Sequence, residues 1–399
     1  MRNVAHKIRL IPNNKQKTLF AKACGTARFS YNWALAEWKK QYEAGGKPSE
    51  SKLRKELNSI KREQFPWMYE VTKCAPQQAI KNLGTAFGRF FRGESKYPQF
   101  KKKGIHDSFY IDNVNLKIKD NRVFLVTIGW VRLAEKFRFK DAKLMSATIS
   151  RSADQWFVSI NCEVPDAEPL PKTGSNVGID VGTRQYADSK GKFKEVPRAY
   201  RKAEKKLKRL SQSLARKQKG SKNRQKAKDK LARCHLRVAN IRQDWLHEYT
   251  TNIVRQNDII GIEDLNVKGM VKNHYLAKSI QDAAFGEFSR QIKYKSQWYG
   301  RKVVIADRWF ASSKICSKCG VKAKQRMTLD VREWACEHCG ATHHRDTNSA
   351  VNLEKHAVSS TASACGEFYA SAEITRSSPS KQPRRSRKKS ELLGLPRRS

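Results

Sequence analysis

The chain has 399 residues, and its 82 Lys and Arg against 37 Asp and Glu give a formal net charge of +45 at pH 7. This length predicts two or three structural units and excludes one small module, while a charge this high predicts a polyanionic partner. The sequence shows no N-terminal apolar signal segment and no apolar run that could span a membrane, which argues against a secreted or membrane-surface protein. We therefore expect a cytoplasmic protein without a membrane partner.

Secondary-structure patterns divide the first half of the chain into three stretches. Residues 4–11 alternate loosely and predict a strand, after which Pro12 and Asn13 interrupt the pattern. Residues 14–92 then have helical periodicity, and residues 107–164 contain short β-rich runs. A small β unit is therefore expected to interrupt or follow a helical one.

A strongly basic segment follows the predicted strand NVGIDVG. Residues 198–233 contain sixteen Lys or Arg and only two acids, Glu204 and Asp229. Apolar residues recur there at helical spacing and the pattern breaks near Gly220, which predicts two long amphipathic helices with cationic outer faces. Because so many cations repel one another unless an anion lies nearby, the segment favours contact with nucleic acid over a merely solvated face.

The hydrophobic pattern of the sequence after the basic segment predicts an α/β sheet. We expect a strand at 258–263, a helix at 280–299, a strand at 302–306 and a closing helix that begins near Asp346. Beyond about residue 357 the sequence becomes Ser-rich and then basic, and we expect a disordered tail.

Four cysteines lie between the last predicted strand and the closing helix. Two C-x2-C pairs, separated by sixteen residues, have the spacing typical of structural zinc; they are Cys316 with Cys319 and Cys336 with Cys339. A glycine follows each pair and permits the tight turn that directs both thiolates at one ion. Since four thiolates leave no open position for water, we expect a structural Zn2+, with a redox pair of cysteines as the competing interpretation.

Three carboxylates are candidates for a second metal site. Asp180 lies in a strand of alternating apolar residues, Glu263 ends another strand, and Asp346 begins a helix. Each acid alone has an ordinary explanation, such as helix capping for Asp346. On three elements of one α/β unit, however, they can converge to hold two Mg2+ ions, which is an arrangement that hydrolyses phosphodiesters.

Segments spread over nearly everything before residue 357 are similar to those of one family. They are GTARFSYN, YPQFKKK, GIDVG, RQDWLHEYTTNIV, GIEDL, CSKCG, CEHCG and RDTNSAVN. Together they resemble the TnpB family of transposon-encoded, RNA-guided DNA endonucleases, which are related to type V CRISPR effectors. The resemblance implies that the three carboxylates are the catalytic acids. Ser349 and Lys314 depart from residues common in the family, and we expect neither to touch the acids.

The resemblance also implies an α/β fold class with a defined order of domains. An RNase H-like (RuvC) nuclease domain with an inserted zinc ribbon would follow a β-barrel-like wedge unit that has an inserted helical recognition domain. The expected parts are the first wedge strand (1–12), the recognition domain (13–100), the wedge β domain (101–172), the first nuclease part (173–307), the zinc ribbon (308–342), the second nuclease part (343–356) and the disordered basic tail (357–399).

By the same resemblance, the protein would act as a monomer with a guide RNA and would cut double-stranded DNA next to a short adjacent motif. Candidate contacts to that motif, for which a solvent-facing role is equally open, are Lys73, Gln77 and Gln78. Candidate contacts along the nucleic-acid path, within the basic segment, are Lys205, Lys206, Lys208, Arg209, Arg216 and Lys217.

Other functions remain open at the level of sequence. One alternative is a basic DNA-binding regulator or transposition accessory protein that occupies DNA without cutting it. Another is a nuclease that needs no RNA. A transposase of the tyrosine type is disfavoured, because it needs paired metal-binding His residues and the sequence has no HxH pattern.

Overall fold

The structure is a computed structural model that describes residues 1–114, 116–324 and 330–370. The first half of the chain forms a seven-stranded sheet with helices packed on it. Its elements are β1 (Arg2–Ile11), α1 (Asn14–Glu43), α2 (Glu50–Gln64), a 3-10 helix (Pro66–Glu70), α3 (Cys74–Phe91), β2 (Ser108–Asp112), β3 (Lys117–Lys119), β4 (Arg122–Leu125), β5 (Gly129–Leu133), β6 (Lys143–Ser152) and β7 (Gln155–Val164).

The first strand holds this sheet together. β1 pairs antiparallel with β7 along nine residues and with β5 at its end, in the order β2-β6-β7-β1-β5-β4-β3. Its alternate side chains, including Val4, Ile8 and Leu10, are buried in the core beneath α1 and α3. The predicted strand at 4–11, the helices of 14–92 and the β-rich run of 107–164 are all confirmed.

The interruption at Pro12 and Asn13 is a helix cap. The Asn13 side chain accepts a hydrogen bond from the backbone N–H of Gln16 at 2.8 Å, and the Gln16 side chain accepts one from the backbone N–H of Asn13 at 3.1 Å. This reciprocal arrangement satisfies two donors that the first turn of a helix otherwise leaves unpaired. It fixes the point where β1 ends and α1 begins.

The second half of the chain contains a five-stranded sheet between helices. Its elements are β8 (Asn176–Val181), β9 (Gln185–Asp188), β10 (Phe193–Glu195), α4 (Ala199–Ala215), α5 (Lys222–Gln256), β11 (Ile259–Glu263), α6 (Val267–Met270), α7 (His274–Ala283), α8 (Phe285–Trp298), β12 (Lys302–Ala306), β13 (Glu333–Ala335), β14 (Thr342–His344) and α9 (Arg345–Ala370). The strand order is β10-β9-β8-β11-β12, with β8, β11 and β12 parallel and the first three antiparallel.

The two faces of this sheet are covered differently. Ile179, Ile260 and Ile262 point into a core formed with α5 and α8. On the opposite face, glycines let α9 approach the strands at backbone distance: a Cβ on Gly178 would lie 1.9 Å from the carbonyl oxygen of Ala350, and α9 covers Gly261 of β11 in the same way. The position of α9 on the sheet is thus fixed by the absence of side chains beneath it.

Two expectations need correction. The single helix expected at 280–299 is two helices, because Ala284 adopts a left-handed conformation (φ 58°) between α7 and α8. The closing helix continues through Ala370, past residue 357, since residues 357–370 include four alanines and no proline and are compatible with a helix. The rest of the expected tail, 371–399, lies outside the described residues. The sequence reading also missed the β9–β10 and β13–β14 hairpins.

The two long helices of the basic segment are confirmed as α4 and α5, with the break at 216–221. The N-terminus of α4 is capped from a distant part of the chain. Its own cap residue, Arg198, has a left-handed conformation (φ 49°) and makes no side-chain cap. The buried carboxylate of Asp282 instead accepts hydrogen bonds from the backbone N–H groups of Tyr200 and Arg201, at 2.9 and 3.1 Å.

Within the described part of the chain, no helix combines the length and apolar character needed to cross a membrane.

We expect Asp282→Ala to lower the free energy of unfolding by roughly 1–2 kcal/mol, because it leaves the first N–H groups of α4 without a partner. Urea unfolding followed by circular dichroism measures the effect. Asp244→Ala, which removes an exposed acid from α5, is the matched control. Equal unfolding midpoints for the two variants would contradict the assigned capping role.

Candidate functional site

The three predicted carboxylates meet at one edge of the five-stranded sheet. β8 and β11 are neighbouring parallel strands in which Ile179 is paired with Ile262, so Asp180 and Glu263 follow at adjacent positions. Asp346 lies in the first turn of α9, the helix that packs directly on these two strands. The structure therefore brings together three acids that are separated by long stretches of sequence.

The proximity of the three carboxylates affects the pKa of Asp180. Burial raises the pKa of Asp180 to about 8, and repulsion from Glu263 and Asp346 adds to the increase. Arg345 and a hydrogen bond from Ser349 oppose this shift in part. Three acidic oxygen ligands held against their mutual repulsion are suited to a hard divalent cation such as Mg2+.

Two serine hydroxyls connect Asp180 with Glu263. Ser312 donates to Oε1 of Glu263 at 2.5 Å, and Ser349 Oγ lies 2.9 Å from Ser312 Oγ and 3.4 Å from Oδ1 of Asp180. Our expectation that Ser349 stays clear of the acids is therefore wrong, because it lies one turn after Asp346 on the same face of α9. No sequence pattern marks Ser312, since its contact with Glu263 depends on the path of the loop after β12.

The loop that carries Ser312 is anchored to α9 by two asparagines. Asn352 donates to the carbonyl oxygen of Ser312 at 2.8 Å and to that of Ile315 at 2.6 Å. Asn348 donates to the same Ile315 oxygen at 2.7 Å and accepts from the backbone N–H of Ser317 at 2.8 Å. The cysteine segment and the helix bearing Asp346 are thus held in one arrangement.

The four predicted cysteines converge as expected. Their sulfur atoms all lie within 4.8 Å of one another and belong to Cys316, Cys319, Cys336 and Cys339. Gly320 and Gly340 each follow a pair with a positive φ, 77° and 70°, and each donates to the carbonyl of the first cysteine of its pair. His343 Nε2 lies 3.0 Å from the Cys316 sulfur. Four such thiols can hold one tetrahedral metal ion.

The predicted nucleic-acid contacts lie on two separate elements. The six residues of the basic segment are exposed on α4 or just beyond its end: Lys205, Lys206, Lys208, Arg209, Arg216 and Lys217. Lys73 is exposed at the start of α3, while Gln77 and Gln78 are half-buried, and Gln78 donates to the Asn82 side chain at 3.0 Å.

Three family models match the chain. They are described as "Probable transposase" for residues 159–274, "Cas12f1-like, TNB domain" for residues 285–353 and "Helix-turn-helix domain" for residues 1–47. The structure has a strand and one long helix, β1 and α1, over most of the last range. The second range begins at α8 and ends within α9, so it includes Ser312, the cysteine cluster and Asp346.

Two relatives and one solved structure are similar to most of the chain. A protein of Streptomyces pristinaespiralis, "Putative RNA-guided DNA endonuclease", is 36% identical over 409 residues, with 98% of each chain covered. A protein of the same description, InsQ of Escherichia coli strain K12, is 33% identical, with 94% of this chain and 97% of the relative covered. The structure of a Cas12f1-sgRNA-target DNA complex has a similar fold, with a TM-score of 0.53, 15% identity, and coverage of 86% of this chain and 83% of that one.

In magnesium-free buffer, we expect Asp180→Asn to raise the melting temperature, and to raise it more at pH 9 than at pH 6. The pKa of Asp180 is about 8 in the folded protein against an ordinary 3.8, so the cost of ionising it grows as the pH rises between these values. Asn does not titrate and avoids that cost. A difference of at least about 2 °C at pH 9 corresponds to roughly 1 kcal/mol.

Differential scanning calorimetry of both proteins across this pH range measures the difference. Added Mg2+ should reduce it, because bound cations neutralise the wild-type site. A gap between the two melting temperatures that is independent of pH would contradict the proposed repulsion.

Proposed function

This chain belongs to the TnpB family of RNA-guided DNA endonucleases, and from that premise we propose that it cuts target DNA beside a short adjacent motif by two-metal hydrolysis at Asp180, Glu263 and Asp346. The observation that supports this most strongly is the convergence of three acids from β8, β11 and α9 at one edge of one sheet. A purely structural role gives no reason to place three carboxylates together, whereas bound divalent cations would offset the repulsion between them.

We propose that residues 173–307 and 343–356 form an RNase H-like, RuvC-type nuclease domain. In the order β10-β9-β8-β11-β12, the strands β10, β9 and β8 are antiparallel neighbours, and β11 and β12 run parallel to β8. This is the arrangement expected of that fold. The helix bearing Asp346 packs on the central strands, as such a site requires. The continuation of α9 to Ala370 extends this domain beyond the bound proposed from the sequence.

The N-terminal half would be the wedge and recognition unit. Pairing of β1 with β5 and β7 supports a wedge domain built from residues 1–12 and 101–172, with the helices of 13–100 inserted between. The matched range of the transposase model begins in β7 and runs into α7, so it covers both sides of the boundary between the two halves.

The acids would hold the two Mg2+ ions. When bound, such a pair of ions activates water for attack and stabilises the leaving oxygen. The task of the protein is to fix the positions of the ligands. Ser312 holds one oxygen of Glu263, Ser349 links that hydroxyl to Asp180, and the asparagines of α9 hold the loop that carries Ser312.

The cysteine cluster would bind Zn2+ with a structural role. Four thiolates complete a tetrahedral shell and leave no position for a reacting water. Because Asn348 ties the first cysteine pair to the start of α9, a filled cluster would stabilise the position of Asp346. The zinc ribbon would thus support the nuclease site without taking part in the chemistry.

The cationic faces of α4 and α5 would hold guide RNA and the RNA–DNA heteroduplex by their phosphates. On α4, the buried residues Ala199 and Leu207 lie on the opposite face to the exposed Lys and Arg side chains. Sequence recognition would be left to base pairing, and the protein would act as a monomer with its RNA in a prokaryotic cytoplasm. A regulator that occupies DNA without cutting it has less support, because it needs no acidic cluster.

We expect Asp180→Ala to abolish DNA cleavage and to leave copurification of the RNA unchanged, because it removes a metal ligand that lies away from the basic helices. Cleavage of a target that matches the guide and sequencing of the bound RNA test the two halves of this prediction. Asp244→Ala is the control, since it removes an exposed acid from α5. Cleavage retained by Asp180→Ala would contradict the catalytic assignment.

Ser312→Ala should lower kcat by roughly 10-fold or more and raise the Mg2+ concentration needed for half-maximal cleavage. The buried hydroxyl donates to Oε1 of Glu263, and removing one partner of a buried hydrogen bond costs about 1–3 kcal/mol. Ser313→Ala is the matched control, because the Ser313 side chain makes no hydrogen bond to any described residue. The same Mg2+ dependence for both variants would argue against a positioning role for Ser312.

A further inference from the structure

Trp309 is the most exposed large hydrophobic side chain in the described part of the chain. Its relative exposure is 86%, whereas the other described tryptophans with notable exposure, Trp67 and Trp130, are at 40%. Exposure of an indole to water is unfavourable. An indole this exposed, on a protein that buries many of its other aromatic side chains, suggests a binding partner.

The turn that carries Trp309 is held on both sides of the indole. The side chain of Asp307 accepts from the backbone N–H of Trp309 at 2.8 Å, and the carbonyl of Asp307 accepts from Phe310 at 2.9 Å. The ring of Phe310 packs against His356 of α9 with centroids 4.8 Å apart. The backbone of the turn is therefore held by contacts on both sides of Trp309.

The same turn is bonded to the acidic cluster at two points. Arg308 pairs with Asp264, the residue after Glu263, at 2.6 Å, and Ser312 donates to Glu263 itself. Trp309 lies three positions before Ser312, so their Cα atoms are at most about 11 Å apart. The turn that displays the indole thus belongs to the same loop that contacts Glu263.

The charge of the protein favours one class of partner for this surface. A formal charge of +45 favours nucleic acid over another basic protein, and an exposed aromatic ring in a nucleic-acid channel offers a face on which any base can stack. We propose that Trp309 stacks on a base of the DNA strand that enters the carboxylate cluster. This inference rests on the proposed nuclease function and adds to it a contact that positions the strand for cutting.

Stacking of this kind has a specific signature. It does not depend on base identity, since every base has an aromatic face, but it does require a base. It also holds a single strand in place next to the reacting phosphate, where small displacements are costly to the rate. A contact with phosphate would instead persist when the base is removed and would weaken with salt.

The test compares cleavage by the complete protein with its copurified RNA on two matched DNA targets. One target has ordinary bases around the mapped cut, and the other has abasic nucleotides there with the same phosphates. The variants are Trp309→Ala, Trp309→Phe and, as a control, Tyr42→Ala, which removes a 68% exposed aromatic ring at the end of α1. Melting temperature and zinc content verify that each variant is folded.

We expect Trp309→Ala to lower kcat/KM on the ordinary target by roughly 10-fold, within the range for loss of one stacked base. Trp309→Phe should recover most of the rate, and Tyr42→Ala should match the wild type. On the abasic target, the wild type should fall to the level of Trp309→Ala, so that the two effects are not additive.

Two outcomes would overturn the inference alone while the wild type still cuts. One is a Trp309→Ala variant that matches the wild type on the ordinary target, and the other is an equal loss on both targets, which would indicate a structural role. A wild-type complex that cuts neither target would overturn the proposed nuclease function, and this inference with it.

Discussion

The close approach of α9 to β8 and β11 is the contact on which the candidate site depends. No side chain fits beneath the helix: a Cβ on Gly178 or Gly261 would fall 1.9 or 2.3 Å from a carbonyl oxygen of α9. Because the helix lies directly on the strands, its first turn brings Asp346 to the carboxyl ends of β8 and β11, where Asp180 and Glu263 lie. A helix held one side chain farther away would separate the acids and leave no common site for divalent cations.

This geometry places like charges together, and the surrounding structure offsets the cost. Arg345 offsets only part of the burial and repulsion that raise the pKa of Asp180, and Arg332, which pairs with Asp346 at 3.3 Å, is itself 56% exposed. Hydrogen bonds from Ser312 and the asparagines of α9 hold the ligands in place. The cysteine cluster fixes the start of α9, so a structural metal and a catalytic one would stabilise the same helix.

The sequence was sufficient for residues whose role is set by local pattern. Asp180, Glu263 and Asp346 mark two strands and a helix start, and the spacing of the cysteines marks a metal knuckle, so these could be named before the fold was known. Ser312 and Asp282 could not, because each acts through a contact that depends on how distant parts of the chain pack together. The break at Ala284 was missed for a related reason, since alanine is a strong helix former and only tertiary packing favours its left-handed conformation.

The central claim is that RNA guides a metal-dependent cut at the carboxylate cluster. The most direct test purifies the protein with the RNA that it binds, sequences that RNA, and incubates the complex with DNA that matches or does not match the guide, with and without Mg2+. Our account predicts cleavage only when the match and Mg2+ are both present. Cleavage of unmatched DNA, or cleavage of matched DNA without a divalent cation, would contradict it.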